Sequence, residues 1–179
     1  MAGQLLIAIL AVILVVSVLF APQEEGLPGA GKFAIVGEPA PPFTLRGSSG
    51  EWRFSDHLGK PMIIAFWTTW CGACIKDLQV LEEFHRRYGE QVEVVGVCPE
   101  RWHEVPPILA RYRITFPVLY DRGAQVTARY QLLENLRYPF TVFVSEEGKV
   151  TGVWAVIIRD LPQLLELLAR AGISVTTGD

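Results

Sequence analysis

The chain opens on an unbroken apolar stretch, then changes to a region in which apolar residues recur in strand-length runs and at helical spacing. Between Leu5 and Ala21 the only strongly polar side chain is Ser17. As a helix rising about 1.5 Å per residue, this stretch nearly spans a bilayer core of about 30 Å. No Lys or Arg precedes Leu5, and Leu19-Phe20-Ala21 lacks the small-residue pattern of a cleavage site. An uncleaved transmembrane anchor over residues 1–21 is therefore favoured over a cleaved signal or a buried core helix. Pro22 to Gly31 has the composition of a short tether, which leaves residues 22–34 as linker and 35–179 as one domain. Glu24 and Glu25 follow the apolar run and the first basic residue is Lys32, so charge says little about orientation. An N-terminal anchor is expected to make a single-pass cell-membrane protein with its domain on the extracytoplasmic side.

Beyond the tether the periodicity alternates. Phe43 to Arg46 and Glu51 to Phe54 flank Gly47-Ser48-Ser49-Gly50, which predicts an opening hairpin. Met62 to Trp67 is an apolar run of strand length, as for a central strand buried on both faces. Ala73 to Tyr88 carries Cys74, Leu78, Leu81, His85 and Tyr88 at spacings of three and four, and Gly89 closes that helix. Val92 to Val97 predicts a strand, Glu104 to Tyr112 a helix with Pro106 in its first turn, and Val118 to Tyr120 a short strand. Phe140 to Ser145 and Val150 to Trp154 predict a second hairpin, and Leu161 to Ala171 an amphipathic closing helix. This order implies an α/β domain with a mixed central sheet and helices on both faces.

Charge narrows the partners. The 179 residues have a formal net charge of −3 and no basic block, so nothing points to nucleic acid. Chemistry concentrates at Cys71 and Cys74, placed where a buried strand gives way to a helix. There the Cys71 sulfur faces unpaired backbone N–H groups and the positive end of the helix dipole, which stabilise a thiolate. Thiols in such C-x-x-C settings titrate from about 3.5 to about 7, against about 8.5 for a free cysteine. Cys74, one turn on, lies within disulfide reach as a shielded resolving thiol. A structural zinc site takes four ligands, and only Cys98 and the scattered His57, His85 and His103 remain. Ile75 follows Cys74, so a C-x-x-C-H haem attachment is absent. No metal or other cofactor is expected. Cys98 reads as a small buried hydrophobe rather than a third redox thiol. Trp67 is expected in the core and Trp70 on the apolar surface around the Cys71 sulfur.

A family resemblance covers nearly everything after the tether. Gly37-Glu38-Pro39-Ala40-Pro41-Pro42-Phe43-Thr44-Leu45, Gly59-Lys60-Pro61 and Phe66-Trp67-Thr68-Thr69-Trp70-Cys71-Gly72-Ala73-Cys74 occur in order, followed by Phe116 to Asp121 and Pro139 to Val144. Together they resemble the membrane-tethered, TlpA/ResA-like thiol-disulfide oxidoreductases of the redoxin family, of the type that serve cytochrome c maturation. The resemblance implies a thioredoxin-like fold with an N-terminal hairpin extension behind the transmembrane helix. It implies that Pro139 is the family's cis-proline, facing the disulfide, and that Tyr138 offers backbone hydrogen bonds to an extended substrate. Thioredoxin itself carries a buried aspartate where this chain has Ala65. In the tethered relatives a glutamate at the end of the next strand lies near the pair, and Glu100 corresponds to it, as a general base for the Cys74 proton. Two departures stand out. Ala73 replaces a common proline between the cysteines, and the chain is about three residues longer around Leu133-Glu134-Asn135, where partner specificity is expected.

Three function classes follow. The first is a dithiol-disulfide oxidoreductase acting on protein thiols and disulfides, most simply as a protein-disulfide reductase. Apocytochrome c is the substrate that the resemblance suggests, and a membrane electron donor of thioredoxin-reducing type the reductant. The second is a peroxiredoxin-like thiol peroxidase, whose P-x-x-x-[TS]-x-x-C pattern fails at Ile64 although Thr68 fits. The third is a non-catalytic binding module, which the intact cysteine pair disfavours.

Overall fold

The structure, a computed structural model, describes residues 35–132 and 136–176. The expected anchor over residues 1–21, the tether over 22–34 and the added residues 133–135 lie outside the described residues. Among those described, no helix is long and apolar enough to cross a membrane.

Seven strands form one mixed sheet in the order β2-β1-β5-β4-β3-β6-β7. They are β1 (Thr44–Gly47), β2 (Gly50–Arg53), β3 (Met62–Phe66), β4 (Glu93–Cys98), β5 (Val118–Tyr120), β6 (Phe140–Val144) and β7 (Val150–Trp154). The helices are α1 (Gly72–Tyr88), α2 (Val105–Tyr112), α3 (Gln125–Gln131) and α4 (Leu161–Arg170). β3 is the hub, parallel to β4 and antiparallel to β6. Its side chains alternate between two cores: Ile63, Ala65 and Trp67 meet α1, α2 and α4, whereas Met62, Ile64 and Phe66 meet the hairpin and α3. That two-sided burial explains an apolar run without polar alternation. Trp67 is in the core as expected, and Gly96 on β4 stays small because a Cβ there would lie 3.2 Å from the Trp67 indole nitrogen.

The long helix α1 aims the cysteines. Its N-cap is Cys71, and Arg86 and Arg87 occupy the last turn, where cations complement the helix dipole. Glu82, buried on the helix, accepts from Thr115 N (2.7 Å), from Thr115 Oγ1 (2.8 Å) and from Arg86 Nε (2.7 Å). Burial pushes its carboxyl up, but those donors outweigh it and hold the group below its ordinary value. α1 is thereby fastened to the segment leading into β5.

Most elements fall within a residue or two of the sequence expectation. Phe54 belongs instead to a 3-10 turn over Phe54–His57, and a second such turn, Trp102–Glu104, precedes α2. Helix α3 has no counterpart in the sequence reading. It follows Gly123 at φ 75° and Ala124 at φ 55°, and ends at Leu132, φ 50°. Such a short helix between left-handed residues carries only Val126 and Tyr130 as an apolar face, too little for periodicity to announce.

Candidate functional site

Cys71 and Cys74 are joined in a disulfide, with Cα atoms 5.2 Å apart. The Cys74 backbone N–H also donates to Cys71 Sγ at 3.1 Å, the bond an N-cap side chain makes. After reduction that donor, together with the helix dipole, stabilises negative charge on Cys71. The two sulfurs are unequal. Cys71 retains 8% of its surface and Cys74 none, so an incoming partner reaches Cys71 first. The first turn of α1, Gly72-Ala73-Cys74-Ile75, adds no cation.

Trp70, beside Cys71, is 74% exposed, and its ring meets Tyr138 edge to face at 6.4 Å. The Tyr138–Pro139 peptide bond is cis. The structure thus brings Trp70, Cys71 and Tyr138 to one surface patch, with Pro139 next in the chain. Burial pushes the Tyr138 hydroxyl up to about 12, against a hydrogen bond with Thr127, while Glu100, Asp121 and Cys98 add to the upward shift.

Glu100 is bonded to the motif loop. Its Oε2 accepts from Thr69 N at 3.2 Å and from Cys98 Sγ at 2.9 Å, tying the end of β4 to the residue two before Cys71. Cys98 is buried, as expected, but its thiol is also a donor. Burial pushes it far up, and the bond to Glu100 adds to that shift. A thiol so held is a poor nucleophile. Of the histidines, His57 stacks on Trp52 at 4.3 Å and His85 sits edge-on to Phe116, while His103 is exposed beside Glu104.

The sequence reading overlooked Asp77. It is one turn beyond Cys74 on α1, 3% exposed, with Oδ1 accepting from Ile158 N at 2.8 Å and Oδ2 without a hydrogen-bond partner among the described residues. Burial pushes its carboxyl up to about 7, and the Ile158 N–H only partly offsets that. Ala65, where thioredoxin carries its aspartate, is buried in the same core as Cys74 and Ile158. The buried acid of this core therefore comes from the helix. The signal was available: a charged residue at i+3 from Cys74 on the face otherwise made by Leu78 and Leu81.

Residues 36–153 match the AhpC/TSA family. The chain is 34% identical over 128 residues to the thiol-disulfide oxidoreductase ResA of Bacillus subtilis (strain 168), an overlap covering 69% of this chain and 70% of that protein. It is 29% identical over 138 residues to the thioredoxin-like protein YneN of the same organism, covering 73% and 79%. Among solved structures, a Chlorobium tepidum protein assigned as the thiol:disulfide interchange protein DsbE superposes with a TM-score of 0.68 at 26% identity, covering 76% of this chain and 98% of that one.

Proposed function

Because the chain belongs to the AhpC/TSA family and is a thiol-disulfide oxidoreductase, we propose that it works as an extracytoplasmic reductase of protein disulfides, held at the cell membrane by residues 1–21. The observation that carries this proposal is the unequal burial of the two sulfurs at the N-terminus of α1, with an exposed aromatic patch beside the reachable one. In the reduced protein the Cys71 thiolate attacks one sulfur of a substrate disulfide. That bond breaks, the departing substrate sulfur takes up a proton, and Cys71 is left in a mixed disulfide. Cys74 then gives up its proton and attacks Cys71, which releases the second substrate thiol. The substrate gains two electrons and two protons, and the Cys71–Cys74 disulfide remains. A dithiol donor in the membrane, of thioredoxin-reducing type, restores the starting state.

The Cys74 proton needs an acceptor, and two carboxylates are candidates: Glu100, bonded to the motif loop at Thr69, and Asp77, one turn beyond Cys74 on α1. Glu100 is the general base that the family resemblance implies. Asp77 is better matched to a thiol at neutral pH, because its carboxyl is pushed up to about 7 and one of its oxygens has no partner among the described residues. Trp70 and the backbone of Tyr138, before Pro139, bind the substrate segment around its cysteine. Disulfides formed by the C-x-x-C-H thiols of apocytochrome c suit this site, since they present the sulfur on an extended chain.

The test is to express the full chain with Cys74→Ser and with Cys71→Ser. The first variant is expected to accumulate mixed disulfides through Cys71 that sediment with membranes and disappear on adding dithiothreitol. The second is expected to form none and to have lost disulfide exchange. Wild-type exchange by Cys71→Ser would sink the mechanism, and adducts confined to the soluble fraction would sink the anchored placement.

A further inference from the structure

Polar side chains are rarely buried without a purpose that offsets their desolvation. Seven polar or charged residues are buried among the described residues, and three of them, Asp121, Thr127 and Gln131, cap α3 or belong to it. None of the three is hydrogen-bonded to a cysteine among the described residues, and the mechanism above uses none of them. All three lead to the two residues before Pro139.

Asp121 seats the start of α3: Oδ1 accepts from Val126 N at 3.0 Å, and Oδ2 from Thr127 N at 2.8 Å and Thr127 Oγ1 at 2.7 Å. A hydrogen bond between the Thr127 side chain and the Tyr138 hydroxyl then ties this end of the helix to Tyr138. At the far end of the helix Gln131 grips the Arg137 peptide unit on both sides. Arg137 N donates to Gln131 Oε1 at 2.6 Å, and Gln131 Nε2 donates to Arg137 O at 2.9 Å. The helix between these clamps is bounded by non-glycine residues in the left-handed region, Ala124 and Leu132. Such conformations persist only where surrounding structure enforces them, and they concentrate at functional sites.

We infer that α3 is a positioning device for substrate docking, in which Gln131 and Thr127 hold Tyr138 in the pose that receives a substrate backbone. This deepens the proposed function and rests on it. A consequence concerns specificity. Arg137 has both backbone groups occupied by Gln131, and Pro139 has no N–H to give. Within residues 137–139, backbone pairing with a substrate is thus left to Tyr138, whose N–H and C=O have no backbone partner among the described residues. Selectivity is then left to the side chains of Trp70 and Tyr138.

The experiment compares exchange rates of wild type and Gln131→Met in two redox buffers, one of a peptide carrying a C-x-x-C pair and one of 2-mercaptoethanol and its disulfide. Met fills the same space without either hydrogen bond. The variant is expected to exchange with the peptide about tenfold more slowly, through a higher half-saturating concentration. Its mercaptoethanol rate and its reduction potential are expected to match wild type. Rates that fall equally in both buffers, or a peptide rate that does not fall, would overturn the inference. If Gln131→Met does not fold, Thr127→Val carries the same readings, since it removes the hydroxyl joining Tyr138 to Asp121. A wild-type protein that exchanges no faster with the peptide than with mercaptoethanol would remove the docking surface itself, a failure distinct from an unaffected variant.

Discussion

Asp77 and Glu100 differ in what their surroundings have already spent. Glu100 gives one oxygen to Thr69 N and to Cys98 Sγ, whereas Asp77 keeps one oxygen without a partner among the described residues and is held protonated up to about pH 7. The folded protein therefore binds a proton at Asp77 that the unfolded chain has released between about pH 4 and pH 7. Because the native state binds more protons there, this contribution to stability is lost as pH rises through that window, by at most about 1.4 kcal/mol per unit. Urea midpoints of the oxidised protein at pH 5 and pH 7.5 check this: Asp77→Asn is expected to remove the decline, and an unchanged decline would mean that another group causes it. The same variant is expected to slow resolution by Cys74 and to flatten a rate step near pH 7. Glu100→Gln is expected to keep the fold and to slow exchange through the loop that Thr69 belongs to. If only Glu100→Gln slows exchange, Glu100 is the general base and Asp77 is a bystander.

Elements with strong periodicity were legible in the sequence, and those held by buried polar contacts were not. The β3 run and the Cys74-Leu78-Leu81 stripe of α1 announce themselves because burial selects apolar residues at fixed spacing. α3 does not, because Asp121 and Thr127 hold it in place as much as its two apolar residues do. Asp77 escaped although it shares a helix face with Cys74, Leu78 and Leu81, because periodicity counts apolar residues and an acid on a helix is ordinarily solvent-facing. Motif spacing pointed to the Cys71–Cys74 pair and the family resemblance to Tyr138 and Pro139, but neither could reveal the tie from Glu100 to Cys98. The opening hairpin gives an element-scale test. β1 pairs with β5 at Gly47 opposite Leu119, and a Cβ at Gly47 would run into the Val118 carbonyl oxygen. Gly47→Ala is expected to push the hairpin off β5, reducing amide exchange protection in β1 and β2 while leaving β3 and β6 protected. Retained protection in the hairpin would mean that this close approach is not what holds it.

At the scale of the whole molecule, one sheet carries the disulfide at the end of β3 and the docking loop at the start of β6, and these two strands are antiparallel neighbours. Phe66 pairs with Phe140, so the motif that follows one and the Tyr138-Pro139 segment that precedes the other emerge at the same end of these two strands. Few features stabilise a thiolate in preference to the disulfide. Cys71 receives one N–H bond, no cation lies in the first turn, and buried Asp77 sits one turn beyond Cys74. A disulfide oxidant is strong when its reduced form is stabilised, so these features favour a stable disulfide and a reducing dithiol. The equilibrium reduction potential of the Cys71–Cys74 pair in the full chain tests this most directly. A value near or below that of thioredoxin, about −270 mV, is what a protein-disulfide reductase requires, whereas a value near about −120 mV would mark an oxidant and contradict the proposed direction of the reaction.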